Sequence, residues 1–150
     1  MKKIFSCIFI LFIVLASCSK EKGGSGSKSS AYGNTDSHNS GEACMSCHNN
    51  GGSNELWYTV AGTVYKPGES DLNPNSTVYL FTGPAPSGTL VLTLPVDAKG
   101  NFYTTGSVNF GTGLTAAVKS TSGELRYMSA SITSGNCNGC HVSGKRIFVN

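Results

Sequence analysis

The stretch GTLVLTLPVDAKGNFYTTG, residues 88–106, decides the fold. Leu90, Leu92, Leu94 and Val96 recur at every second position, the period of a strand that turns one face to a core. Asp97-Ala98-Lys99-Gly100 then reads as a tight turn, and the next strand begins at once with Asn101-Phe102-Tyr103. The same grammar extends on both sides. LWYTVAGTVY ends at Lys66-Pro67-Gly68, STVYLFT ends at Gly83-Pro84, GLTAAVKS ends at Ser122-Gly123, and ELRYMS follows. Leu114, Ala116 and Val118 share one face of their run. No stretch of useful length carries helical periodicity. Six strands are expected, at 56–65, 76–82, 88–95, 101–105, 113–119 and 124–129, and KRIFVN can add a seventh. Strands at this spacing with Gly and Pro turns predict an all-β antiparallel sandwich.

The termini of this β region carry different chemistry. GEACMSCHNN precedes it and SGNCNGCHVSG follows it, so Cys44-x-x-Cys47-His48 and Cys137-x-x-Cys140-His141 frame the strands. Of three histidines in the chain, two directly follow a C-x-x-C pair. Covalent haem attachment requires that pattern: two thiols add across the vinyl groups on one porphyrin edge, and the adjacent histidine reaches the iron. The competing readings are a dithiol oxidoreductase, a zinc site of four thiolates, and two disulfides. No thioredoxin-like βαβ pattern surrounds either pair, and neither zinc nor disulfides explains the two histidines.

The beginning of the chain sets the compartment. MKKIFSCIFILFIVLASCSK has two lysines, an apolar run and small residues before a cysteine, the layout of an export signal. Leu15-Ala16-Ser17-Cys18 resembles a bacterial lipobox, which implies a signal at 1–17, cleavage before Cys18 and lipidation of Cys18. Residues 18–37 are polar and Gly/Ser-rich and read as a flexible tether. The SKEK after Cys18 resembles the charged tag that sends some lipoproteins to the outer face of the outer membrane. Residues 38–55 then form a first haem-binding segment, 56–130 the β domain and 131–150 the second haem-binding segment with the final strand. After cleavage, nine basic residues face eight acidic ones. That balance implies no nucleic-acid surface.

VAGTVYKPG, NSTVYLFTGP, VDAKGNFYTTG and GLTAAVKS resemble successive strands of carboxypeptidase-regulatory-like domains, over residues 60 to about 120. Framed by HNSGEACMSCHN and RYMSASITSGNCNGCH, the whole resembles exported multihaem c-type cytochromes with a sandwich inserted between two haem motifs. The resemblance implies an Ig-like/transthyretin-like antiparallel β-sandwich flanked by two CxxCH segments. It also implies two covalently bound haem c groups and electron transfer outside the cytoplasm. The partners would be redox proteins or an extracellular acceptor, with the membrane reached through the lipid.

For the second axial position on each iron the chain offers His38, Met45 and Met128. Met45 lies inside its own attachment loop and is excluded. Two bis-histidine haems are therefore impossible from this chain alone. His38, six residues before Cys44, has a spacing shared with the resembling cytochromes; its alternative is a solvated loop histidine. Met128 is either a core side chain or a thioether ligand, which would raise the potential of its haem. Trp57, Tyr58, Tyr127 and Phe148 could pack on the porphyrins, with Tyr58 expected in the core.

An electron-transfer lipoprotein is the function expected. A peroxidase-like haem enzyme is a second class; it would draw a proton-handling residue from Glu42, Glu55 or Arg126. A surface binding or adhesion module with structural haem or metal is a third. Six strand crossings between Cys47 and Cys137 return the chain to its starting end. The two motifs are therefore expected side by side.

Overall fold

A computed structural model describes residues 26–49 and 56–150; the signal, Cys18 and Glu55 lie outside them. The strands are β1 (Val60–Tyr65), β2 (Thr77–Thr82), β3 (Thr89–Pro95), β4 (Asn101–Thr104), β5 (Leu114–Lys119), β6 (Leu125–Tyr127), β7 (Gly135–Asn136) and β8 (Ile147–Phe148). One 3₁₀ turn spans Cys44–Ser46 and one short helix, α1, spans Cys137–Cys140. The chain is thus mostly β, as the period-two runs require.

The strands form two sheets. One runs β3-β2-β5-β6, antiparallel throughout; in the other β1 is central, with β4 antiparallel on one edge. On the other edge β7 pairs parallel with Val60 and Ala61, and β8 pairs parallel with Val64 and Tyr65. The expectation of purely antiparallel pairing is corrected there. The chain leaves that edge after Asn136, makes α1, and returns to it at Ile147. The second CxxCH motif is therefore an excursion between two short strands held by one neighbour.

Both sheets contribute to a single core. Val60, Val64 and Phe102 from the first meet Val78, Leu80, Leu94, Leu114 and Val118 from the second, with Val149 beside them. The alternation expected over Leu114, Ala116 and Val118 holds. In β3 it breaks. Leu94 and Val96 are buried, but Leu90 is 51 % exposed. The cause is a bulge: Leu80 pairs with Leu92 and Phe81 with Leu90, leaving Val91 as an extra residue. Leu90 thereby shifts to the face of Phe81, away from Leu92.

The turn after β3 is built as its residues dictate. Asp97 accepts the N–H groups of Lys99 (2.9 Å) and Asn101 (3.0 Å) on Oδ1, and Gly100 takes φ 74°, which glycine adopts without strain.

Every residue of β1 is buried. Its core face carries Val60, Gly62 and Val64. Its other face carries Ala61, Thr63 and Tyr65 and is covered by the loop before the first motif, where Gly41 N–H donates to Thr63 Oγ1 at 2.9 Å. The segment ahead of that loop is not all tether. Residues 28–34 lie along β4 and the turn after β3: Ser30 N–H donates to Tyr103 O, Thr105 N–H to Lys28 O, and Ala98 N–H to Asn34 O. Ser30 is buried, its hydroxyl donating to Pro95 O at 2.7 Å and accepting Tyr103 N–H at 3.0 Å. Part of the stretch expected to be a tether at 18–37 is thus an edge covering of the domain.

Candidate functional site

The two CxxCH motifs fold alike. In each, the carbonyl of the first cysteine accepts the N–H of the histidine four residues on, at 3.0 Å for Cys44–His48 and 2.9 Å for Cys137–His141. One helical turn thus brings the two cysteines and the histidine of each motif together. The second is tightened by Gly139, where any Cβ would lie 2.5 Å from Asn136 Nδ2.

Both histidines are oriented in the same way. Nδ1 of His48 lies 3.0 Å from Leu56 O, and Nδ1 of His141 lies 2.7 Å from Lys145 O. A carbonyl can only accept, so each Nδ1 carries a proton, and in the neutral imidazole Nε2 is then the nitrogen with the lone pair. A backbone carbonyl on the far nitrogen is the common way in which a metal-ligating imidazole is held in register. Among the described residues no hydrogen bond engages Nε2 of either ring.

Around His48 the neighbours are aromatic. Tyr58 stacks on it with ring centroids 4.3 Å apart, and Tyr103 stacks on Tyr58 at 4.8 Å. Tyr58 therefore belongs to the site, not to the core where it was expected. Burial, with Tyr103 beside it, pushes its hydroxyl up to about 12. His38 is exposed, its ring centroid 5.8 Å from that of His48.

The second motif borders a cleft of about 630 Å³. Cys137, Cys140, His141 and Met128 line it together with the core residues Val78, Leu80 and Phe102. The volume is in the range of small-molecule and cofactor sites, about 300–1,000 Å³. Met128 is half-buried and aligned by its N–H to Ala116 O at 2.9 Å, which extends the β5–β6 ladder. Tyr127 and Phe148 also border the cleft, and the Arg126 guanidinium lies 3.8 Å above the Phe148 ring. Trp57 is exposed. The structure thus sets His38 near His48, while Met128 and His141 border the same cleft.

The two motifs are also neighbours of each other. Cys137 packs against Gly62 of β1, and the Asn138 side chain reaches the chain just before Cys44. The expected proximity is present, but its cause differs from the count of six crossings: β7 is a further strand, parallel to β1, and sets Cys137 beside Gly62 in the middle of β1. Burial pushes the Cys137 thiol up to about 12, with Cys44 and Cys140 adding to the shift, and burial raises the Cys44 thiol as well. All four thiols are free, and among the described residues no three His, Cys, Asp or Glu side chains converge as a metal cluster would require.

Three residues outside the expected set complete the geometry: Asn138, Thr63 and Asn101, all buried and joined by side-chain hydrogen bonds. A polar residue in a strand, in a turn or between two cysteines carries no periodic signal. The only hint was an asparagine at a variable position of the second motif.

No family model, curated protein or solved structure matches the chain.

Proposed function

We propose that this chain is an exported, lipid-anchored dihaem c-type cytochrome that carries single electrons. Cys44 and Cys47 would hold one haem c, with His48 and His38 as axial ligands. Cys137 and Cys140 would hold the other, with His141 and Met128. Haem iron supplies the chemistry, a one-electron cycle between ferric and ferrous states. The chain's own residues anchor, ligate and shield it.

The observation that carries the reading is the shared orientation of His48 and His141. Each turns its protonated Nδ1 to a backbone carbonyl and leaves Nε2 as a lone pair, directly after a C-x-x-C turn. The apolar cleft beside Met128 and His141 supports it independently, since a low-polarity surround is one of the levers on haem potential. On this reading the β domain is a transthyretin-like sandwich of the carboxypeptidase-regulatory-like kind, and Cys18 carries the lipid. The protein then works at the outer membrane, on its periplasmic or cell-surface face, with redox proteins or an extracellular acceptor as partners. It is a carrier and not a catalyst.

Redox titration of the protein produced with cytochrome c maturation machinery tests this. Two one-electron steps at unequal potentials are expected, the Met128 centre the higher. A protein without reversible one-electron steps overturns the proposal.

A further inference from the structure

A chain of buried polar side chains runs through β1 and touches both motifs. Asn138 stands between Cys137 and Cys140, is 3 % exposed, and has every hydrogen-bonding group of its amide engaged. Its Oδ1 accepts the Thr63 N–H at 3.0 Å. Its Nδ2 donates to Thr63 Oγ1 at 3.0 Å and to Glu42 O, two residues before Cys44, at 2.8 Å. The amide cannot be flipped without setting a donor against Thr63 N–H.

Thr63 is equally saturated. Its hydroxyl donates to Asn101 Oδ1 at 2.7 Å and accepts from Asn138 and from Gly41 N–H. Asn101 Nδ2 in turn donates toward Ser37 Oγ (2.9 Å), Ser40 Oγ (3.1 Å) and His38 O (3.3 Å). Three side chains thus join the second motif, the lead-in to the first, and the loop that carries His38. Haem attachment itself requires neither an amide between the cysteines nor a hydroxyl on β1. A saturated buried network has one low-energy geometry, because each unmade bond leaves a desolvated polar group.

We propose that Asn138, Thr63 and Asn101 are positioning residues that lock the two haem-binding turns to each other across the β1 edge, so that the two haems behave as one fixed, coupled pair. This rests on the dihaem reading above. Both motifs pack against β1, and this network is the side-chain link that runs from one to the other across it. β7 and β8 hold the ends of the second excursion to β1; Asn138 holds its middle to both β1 and the first motif. The lock fixes a distance and an orientation. Those are the quantities on which electron exchange between two centres depends.

The test uses the holoprotein and reads coupling directly. Two closely held haems give an exciton couplet in Soret circular dichroism, and its amplitude depends on their separation and relative orientation. Thr63→Val keeps the side-chain shape, lies outside both motifs and removes the hydroxyl; the couplet should fall by at least half while intact mass still shows two haems. Asn138→Leu should do the same, and Thr63→Ser should restore the wild-type couplet. Asn73→Ala is the control, since Asn73 is also buried and donates to Val149 O outside the network; it should lower thermal stability and leave the couplet unchanged. A wild-type couplet in Thr63→Val and Asn138→Leu overturns the proposal, as does a couplet lost equally in Asn73→Ala. So does a wild-type protein with two haems and no couplet. A wild-type protein without haem instead refutes the dihaem reading on which this rests.

Discussion

Gly62 is the point at which the β domain and the second motif compete for space, and Gly62→Ala measures how tightly they fit. A Cβ at this position would lie 2.5 Å from Phe102 Cζ, 2.9 Å from Phe102 Cε1 and 2.9 Å from Cys137 Cβ. Phe102 is 1 % exposed and wedged in the core, so it cannot swing into solvent. Cys137 Cβ belongs to α1, which Asn138 ties to Thr63. Relieving the clash must move one or the other. Overpacking of this kind costs about 1–3 kcal/mol, while stiffening the unfolded chain by removing a glycine returns about 0.4–1 kcal/mol. The net loss is therefore centred on about 1.3 kcal/mol, and at about 4 °C per kcal/mol for a domain of this size the melting temperature should fall by roughly 5 °C. Thermal unfolding of the haem-free protein, followed by far-ultraviolet circular dichroism, gives that number. Alkylation of Cys137 followed by mass spectrometry tells which neighbour moved: faster alkylation means that α1 was displaced, an unchanged rate that Phe102 was. A melting temperature equal to the wild type's would refute the close approach of α1 and Phe102 to β1.

Three other outcomes follow from the same structure. In the haem-free protein the Cys137 thiol is raised from 9.0 to about 12 and the Tyr58 hydroxyl from 10.0 to about 12; the native state therefore keeps protons that the unfolded chain releases, and stability complete below pH 9 should decline steadily up to pH 12. Urea midpoints across that range check the sign, and a midpoint that rises with pH contradicts it. Met128→Ala should lower the higher of the two reduction potentials, or open that iron to added ligands, and leave the other step in place; unchanged potentials and spectrum would make Met128 a packing residue only. Asp97→Ala removes the acceptor for two backbone N–H groups in the turn before β4 and should cost about 1.5–3 kcal/mol in chemical denaturation, with a change below that range indicating that the turn holds without its cap.

The six longer strands were legible because each alternates or carries a dense β-branched and aromatic run between turn residues. They appear at 60–65, 77–82, 89–95, 101–104, 114–119 and 125–127, each within the span expected. What the sequence hid has specific causes. β8 falls within KRIFVN, where a seventh strand was expected, but β7 has two residues, too few to show a period, and the parallel pairing of both with β1 left no trace. The bulge at Val91 is invisible in TLVLTL, where alternation continues through it and assigns Leu90 to the wrong face. Residues 28–34 look like tether because they contribute backbone hydrogen bonds and one buried hydroxyl, and bury no large apolar side chain in the core. Of the site, the cysteines and their histidines were readable from spacing alone. That His38 lies near His48 and that Met128 borders the cleft of His141 required the fold, since chain separation does not say which end of a strand faces which motif. The Asn138–Thr63–Asn101 network was unreadable for the same reason. Its members are 38 and 75 residues apart and meet only at β1.

Covalent haem is what the proposed electron transfer requires, and the intact mass of the exported protein measures it most directly. Produced with cytochrome c maturation machinery, the chain should gain two haems, with a pyridine haemochrome spectrum of thioether-linked haem. Replacing Cys137 and Cys140 by alanine should remove one haem and leave the other on Cys44 and Cys47. A chain that leaves the same host with no haem, its four cysteines free, disulfide-bonded or bound to zinc, would contradict it.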